Sequence, residues 1–301
     1  MIFDENTLRK INQLSLVTRQ VRVGWMKGER RSTKRGSSVE FADYRNYTPG
    51  DDLRRLDWNI YARLDRPFLK LFQEEEDLVV HVLLDCSLSM DYGEVEFNKF
   101  QYGVKLAAAI SSIALTNNDW LTVTAIKNMD EEEPQPVSSA NQYGPTRGQF
   151  NTLNMLRFME SLTATGQTDI SHSLRKFVST ARRPGLAFLI SDLFTPGAYH
   201  DGLSLLQGRG YEVVIIHLLS PDEINPDLSG DFRLVDCETG FPQDVSVDED
   251  MRLLYQRRLE TWRSAIQEDC RKRGIRYLGI STQTPWDRVI LKEMRQAGVV
   301  K

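Results

Sequence analysis

The chain has 301 residues, 41% of them hydrophobic and 27% charged, which is the balance of a globular protein with ample apolar material for a core. Its 38 basic and 42 acidic side chains leave a net charge of −4, a value that calls for neither a nucleic-acid nor a membrane partner. The apolar runs at 78–84 and 213–219 are each broken by a histidine. Both are far short of the ~20 residues that span a bilayer. The first residues also lack the basic-then-apolar plan of a signal peptide, so a cytoplasmic location is expected. Three widely spaced cysteines, Cys86, Cys237 and Cys270, form no CxxC pair and argue against a zinc site or a disulfide frame. A reducing compartment fits them.

The spacing of Leu8, Ile11, Leu14, Val17 and Val21 predicts an amphipathic helix over 4–24 that packs on the main body. A basic run follows: Lys27, Arg30, Arg31, Lys34 and Arg35. The Pro49-Gly50 step predicts a turn, because proline presets φ and glycine accepts φ > 0. Asp51 or Asp52 is then placed to cap a short helix. Arg45, Asp51, Asp52, Arg54, Arg55 and Asp57 crowd together and predict an ion-pair lattice with Trp58 packed beneath it. Residues 28–76 are expected to form a small β-containing unit, so that a first domain of helix and β unit occupies 1–77.

From residue 78 strands and helices alternate. The nearly continuous apolar run at 78–86 predicts a strand covered on both faces. A helix at 97–117, a strand at 120–127 and a polar loop at 128–149 follow, the loop holding a short edge strand near 136–138. Helices are expected at 150–162, 168–181 and near 199–207, and strands at 185–192 and 211–220. An edge strand is expected at 231–236 and a last strand at 275–280. The helix at 248–273 opens on Asp248, Glu249 and Asp250, where the helix dipole favours acids, and stops at Gly274. A short helix ends the chain. The second domain, 78–301, is thus expected to be α/β: a doubly wound, mostly parallel sheet with helices on both faces. Such sheets bind ligands at the carboxyl ends of their strands, where the strand order reverses.

The first of these strands ends in Asp85-Cys86-Ser87-Leu88-Ser89, one carboxylate and two hydroxyls at alternate positions. Hard divalent cations take oxygen ligands, and magnesium takes six at ~2.0–2.1 Å. Alone, the string is weak and is more readily a capped turn. Thr168, in a glycine-containing turn that opens a helix, and Asp192, at the end of a later strand, fall at the same end of the expected sheet. The five residues resemble the metal-ion-dependent adhesion site of von Willebrand factor A domains. That resemblance implies that Asp85, Ser87, Ser89 and Thr168 surround a metal and that Asp192 acts through water. It further implies a cation with an open coordination position, which a partner's carboxylate completes. Magnesium is the expected ion by abundance, with manganese or calcium compatible with the same donors.

Upstream, Arg31-Ser32, Gly36, Glu40-Phe41, Arg45-x-Tyr47-x-Pro49-Gly50-Asp51-Asp52-x-Arg54, Asp57-Trp58 and Ala62-Arg63 strongly resemble the bacterial family called domain of unknown function 58. Asp236-x-Glu238-x-Gly240 fits the same family more loosely. The chain departs from it at Arg30, where histidine is frequent, and at Ser38, where glycine is. The resemblance implies an adaptor or substrate-recruiting protein that brings a client to a MoxR-type AAA+ ATPase, not an enzyme. Two alternatives stand beside it. A metal-dependent hydrolase of the haloacid-dehalogenase kind needs an acid two residues after Asp85, where this chain has Ser87. No G-x-S-x-G elbow or phosphate loop occurs. Nucleic acid, reached through the basic 19–35 segment, is the other alternative, and it predicts binding that falls steeply with salt.

Overall fold

The computed structural model describes residues 5–18, 39–53, 56–74, 78–127, 141–181, 183–195 and 199–301. They fall into two compact units: Val21–Asp77, and a larger one that joins Met1–Gln20 to Leu78–Lys301. The N-terminal residues therefore group with the α/β body, not with the small β unit as expected. Helix α1 spans Glu5–Ile11 and is much shorter than the expected 4–24. A long-range pairing replaces the helix. The N–H of Ser15 donates to the Lys301 carbonyl at 3.1 Å, and the N–H of Lys301 returns to Ser15 at 2.9 Å. Val17 donates to Val299 at 2.8 Å. The segment is extended here, and Leu14 and Leu16, two apart, are both buried in the main core. Residues 19–38, with the basic run, lie outside the described residues.

In the small unit, β1 (Val39–Asn46) pairs antiparallel with β2 (Phe68–Glu74), with a register shift between Phe41 and Asp43. The chain turns at Gly50, whose φ of +105° suits glycine. Asp51 accepts from the Thr48 N–H at 2.9 Å and pairs with Arg45 at 2.8 Å, closing the turn. Helix α2 (Trp58–Leu64) is capped by Asp57, which accepts from the N–H groups of Asn59 and Ile60. Trp58 is 61% exposed and stacks edge-on against Tyr61, so it does not lie beneath an ion-pair lattice. At the first position of a short helix its ring points outward. Arg54 and Arg55 lie outside the described residues.

The larger unit continues with β3 (Val79–Asp85), α3 (Lys99–Thr116), β4 (Trp120–Ile126), β5 (Gln142–Thr146), α4 (Thr152–Ser161) and α5 (Ile170–Thr180). Then come β6 (Leu186–Ser191), α6 (His200–Gly208), β7 (Glu212–Leu219) and α7 (Pro221–Ile224). Strands β8 (Gly230–Val235) and β9 (Pro242–Val247), helix α8 (Glu249–Arg273), strand β10 (Arg276–Ser281) and short helical turns complete it. Six strands form one sheet in the order β10-β7-β6-β3-β4-β5. All neighbours are parallel except the edge strand β5, which runs antiparallel to β4. This is the expected doubly wound α/β sheet. The expected edge strand near 136–138 lies outside the described residues.

The expected edge strand at 231–236 does not join that sheet. It is β8, and it pairs with β9 in a separate two-stranded hairpin. Phe232, Leu234, Val245 and Val247 share its one apolar face, none of them fully buried, and Asp231, Arg233, Asp244 and Ser246 line the other.

The apolar runs of the central strands follow from burial on both faces. Val80, Val82 and Leu84 of β3 enter the core that holds α3, while Leu83 enters the core that holds α5 and α6. In β6, Leu186, Phe188 and Ile190 face the first core, and Ala187 and Leu189 the second. His81 and His217, expected in the core, are buried. Burial holds their imidazoles well below the ordinary value, His81 at about 4 and His217 at about 3. His81 bonds to the Arg183 carbonyl at 3.0 Å, and His217 to the Tyr277 hydroxyl at 2.7 Å. The three cysteines are free. Among the described residues, no helix is long and apolar enough to cross a membrane.

Candidate metal centre

The chain enters the sheet at β3, builds β4 and β5 on one side, then crosses to β6 on the other. The strand order therefore reverses between β3 and β6, and the crevice at their carboxyl ends is the expected ligand position. Three loops meet there: 85–90 after β3, 162–169 before α5, and 192–195 after β6.

Backbone bonds tie the loops together. The Thr165 N–H donates to the Cys86 carbonyl at 2.7 Å, and the Leu88 N–H to Gly166 at 3.0 Å. The Thr195 hydroxyl donates to the Thr168 carbonyl at 3.2 Å. Asp169 caps α5 through the His172 N–H at 2.8 Å, which fixes Thr168 just before the helix.

Strand alternation aims the two aspartates differently. Leu84 pairs with Ile190, so Asp85 and Ser191 follow on the same face. The Ser191 hydroxyl donates to Asp85 Oδ2 at 2.6 Å, and the Ser87 N–H donates to Oδ1 at 3.0 Å. Asp192 is one residue further on and faces α3. There Lys99 Nζ contacts its Oδ2 at 2.7 Å and Glu223 Oε1 at 2.5 Å. Lys99 and Asp192 are buried. The aromatic faces of Phe194 and Tyr92 lie 5.1 and 5.7 Å from the ammonium.

The hydroxyls of Ser87 and Ser89 lie 3.0 Å apart. Thr168 is buried, and its Oγ1 has no hydrogen-bond partner. Native proteins rarely leave such a group unsatisfied, because desolvating it costs ~1–3 kcal/mol. Burial raises the Asp85 carboxyl to about 6. The neighbouring Asp192 adds to that rise, while the bonds from Ser191 and Ser87 oppose it. Burial likewise pushes the Cys86 thiol up to about 12, where it stays protonated.

All five residues singled out in the sequence thus belong to the loops of this crevice. The donor set fits a hard divalent cation: a buried carboxylate, two adjoining hydroxyls and an orphaned third hydroxyl, all oxygen. Among the described residues, no group of three or more His, Cys, Asp or Glu could hold a metal. A cation here depends on the hydroxyls. Sequence reading missed Ser191, Lys99 and Glu223. Glu223 carried a signal, since Ser220-Pro221-Asp222-Glu223 reads as a capping box, and it forms one. Lys99 carried none.

The sequence pattern of the family described as "Protein of unknown function DUF58" matches residues 43–265. An uncharacterized protein of Mycobacterium tuberculosis strain H37Rv is 27% identical over 286 residues, covering 95% of this chain and 88% of its own length. Among solved structures, the conserved hypothetical protein BatB from Bacteroides thetaiotaomicron is similar at 14% identity and a TM-score of 0.43, over 73% of this chain and 98% of BatB. A von Willebrand factor type A protein from Catenulispora acidiphila is similar at 17% identity and a TM-score of 0.36, over 50% of this chain and 35% of its own.

Proposed function

The chain belongs to the DUF58 family, and from that premise and the crevice geometry we propose that it is a metal-dependent protein-interaction module of the von Willebrand factor A type. Asp85 is the direct charged ligand of a divalent cation, magnesium by abundance. Ser87, Ser89 and Thr168 supply hydroxyls. Asp192, held by Lys99, supports the metal through water. The observation that carries this reading is the buried Thr168 hydroxyl without a partner, in a loop bonded to the Asp85 loop.

The bound ion supplies a Lewis-acidic position for a carboxylate. With one directly bound carboxylate, the centre keeps positive charge and favours an anionic side chain from a partner. Leu88, Tyr92 and Phe194 are exposed in the loops and segments around it and offer that partner apolar contact. The partners we propose are a client protein and a MoxR-type AAA+ ATPase, in the cytoplasm. No catalytic role is proposed. A dehalogenase-type hydrolase needs an acid at position 87, where Ser87 stands.

Calorimetric titration of the metal-stripped chain with Mg2+ and then Mn2+ tests the reading. One saturable site, abolished in a folded Asp85→Ala variant, is expected. Unchanged binding in that variant contradicts the assignment.

A further inference from the structure

The β8–β9 hairpin is mostly exposed, with Phe232, Val245 and Val247 half-buried, yet its tip is firmly built. Asp236 Oδ1 accepts from the N–H groups of Glu238 and Thr239, both at 2.8 Å. The Gly240 N–H donates to the Asp236 carbonyl at 2.8 Å, and the Asp236 N–H to Phe241 at 3.0 Å. Gly240, at φ +70°, takes the left-handed turn that closes the tip. Asp236 and Gly240 thus fix the turn, and the Glu238 side chain makes no turn bond.

The Glu238 carboxyl lies against the hydroxyl and the backbone N–H of Ser89 and within electrostatic reach of Asp192. Its Oε1 is buried and has no hydrogen-bond partner. A buried carboxylate oxygen without a partner is costly, more so near another anion. Two unsatisfied oxygens thus belong to segments that meet the 86–89 loop: Thr168 Oγ1 follows Thr165 and Gly166, which bond to Cys86 and Leu88, and Glu238 reaches Ser89 from the hairpin. A cation bound among these donors would be a partner for both.

We propose that Glu238 is an intrachain carboxylate ligand of this cation, occupying the position that a partner's carboxylate takes. The inference rests on the metal site proposed above and adds a cap to it. The hairpin tip closes the centre on itself, and a partner engages by displacing Glu238. The exposed strands suit such a movement, because little apolar surface leaves the core when the tip lifts. A partner's apparent affinity is then reduced by the fraction of chains that are capped.

The test uses the full chain, metal-stripped, as wild type, Glu238→Gln and Asp85→Ala. Each is titrated with Mn2+ by calorimetry, and the water-proton relaxivity of the loaded protein is measured. Loss of one charged ligand lowers Mn2+ affinity in Glu238→Gln by about tenfold. A water replaces the carboxylate, so relaxivity rises above wild type, while the thermal melt is unchanged. Wild-type affinity and relaxivity in Glu238→Gln, with binding still lost in Asp85→Ala, overturn the cap and leave the metal site standing. Absence of binding in the wild type overturns both.

Discussion

The loops after β3 and β6 and the tip of the β8–β9 hairpin bring oxygen donors to one place, but they are held in opposite ways. Asp85, Ser87, Thr168 and Asp192 are buried and locked by backbone bonds between loops. Glu238 is carried on an exposed ribbon whose order comes from its own turn. Donors of the first kind are fixed in place by the loops that carry them. A donor of the second kind can be changed or moved at little cost to stability. A centre built from both is rigid where it grips the ion and adjustable where a partner enters.

The largest expected effect lies on the buried side. Lys99 pairs with both Asp192 and Glu223 inside the fold. Lys99→Met leaves those carboxylates without their cation and is expected to lower unfolding stability by ~3–5 kcal/mol in urea titrations. Glu238→Gln is expected to stay within ~0.5 kcal/mol of wild type in the same titrations. Similar losses in both variants break the comparison.

A pH effect comes next, from the strand that carries Asp85. Burial lowers His81 from 6.5 to about 4 in the folded chain. On unfolding it regains its ordinary value, so between those values the unfolded chain binds the extra proton. The His81 contribution is complete above pH 6.5 and is lost as pH falls toward 4. Through this window it amounts to about 1 kcal/mol per pH unit. The wild type should therefore lose more stability than His81→Gln as pH falls from 7 to 5, and equal slopes contradict the burial argument.

The smallest effect is the sharpest in sign. Thr168→Val removes an unpartnered hydroxyl while keeping its shape. The metal-free variant should be as stable as wild type or up to ~1 kcal/mol more stable. Its Mg2+ affinity should fall about tenfold, equivalent to ~1.4 kcal/mol. A loss of stability without loss of affinity means that the hydroxyl serves the fold alone.

Much of this was legible in the chain because each signal was local. The runs at 78–86, 185–192 and 211–220 are apolar on both faces, and both faces are covered. Asp85, Thr168 and Asp192 could be placed at strand or helix ends, where alternating α/β sheets put their ligands. What stayed hidden depended on distant pairing. Leu14 and Val17 fit a longer helix until residues 299–301 take up the backbone groups of Ser15 and Val17. Lys99 reads as an ordinary charge at a helix start, and only the fold supplies Asp192 and Glu223 beneath it. Glu238 was visible as part of a motif, but its neighbour Ser89 is brought to it by a hairpin that reads as an edge strand.

The most direct test of the metal centre is anomalous diffraction from crystals soaked in Mn2+. A single strong peak is expected in the crevice between β3 and β6, at about 2.1 Å from an Asp85 oxygen and beside the hydroxyls of Ser87, Ser89 and Thr168. A well-occupied peak elsewhere with an empty crevice contradicts it.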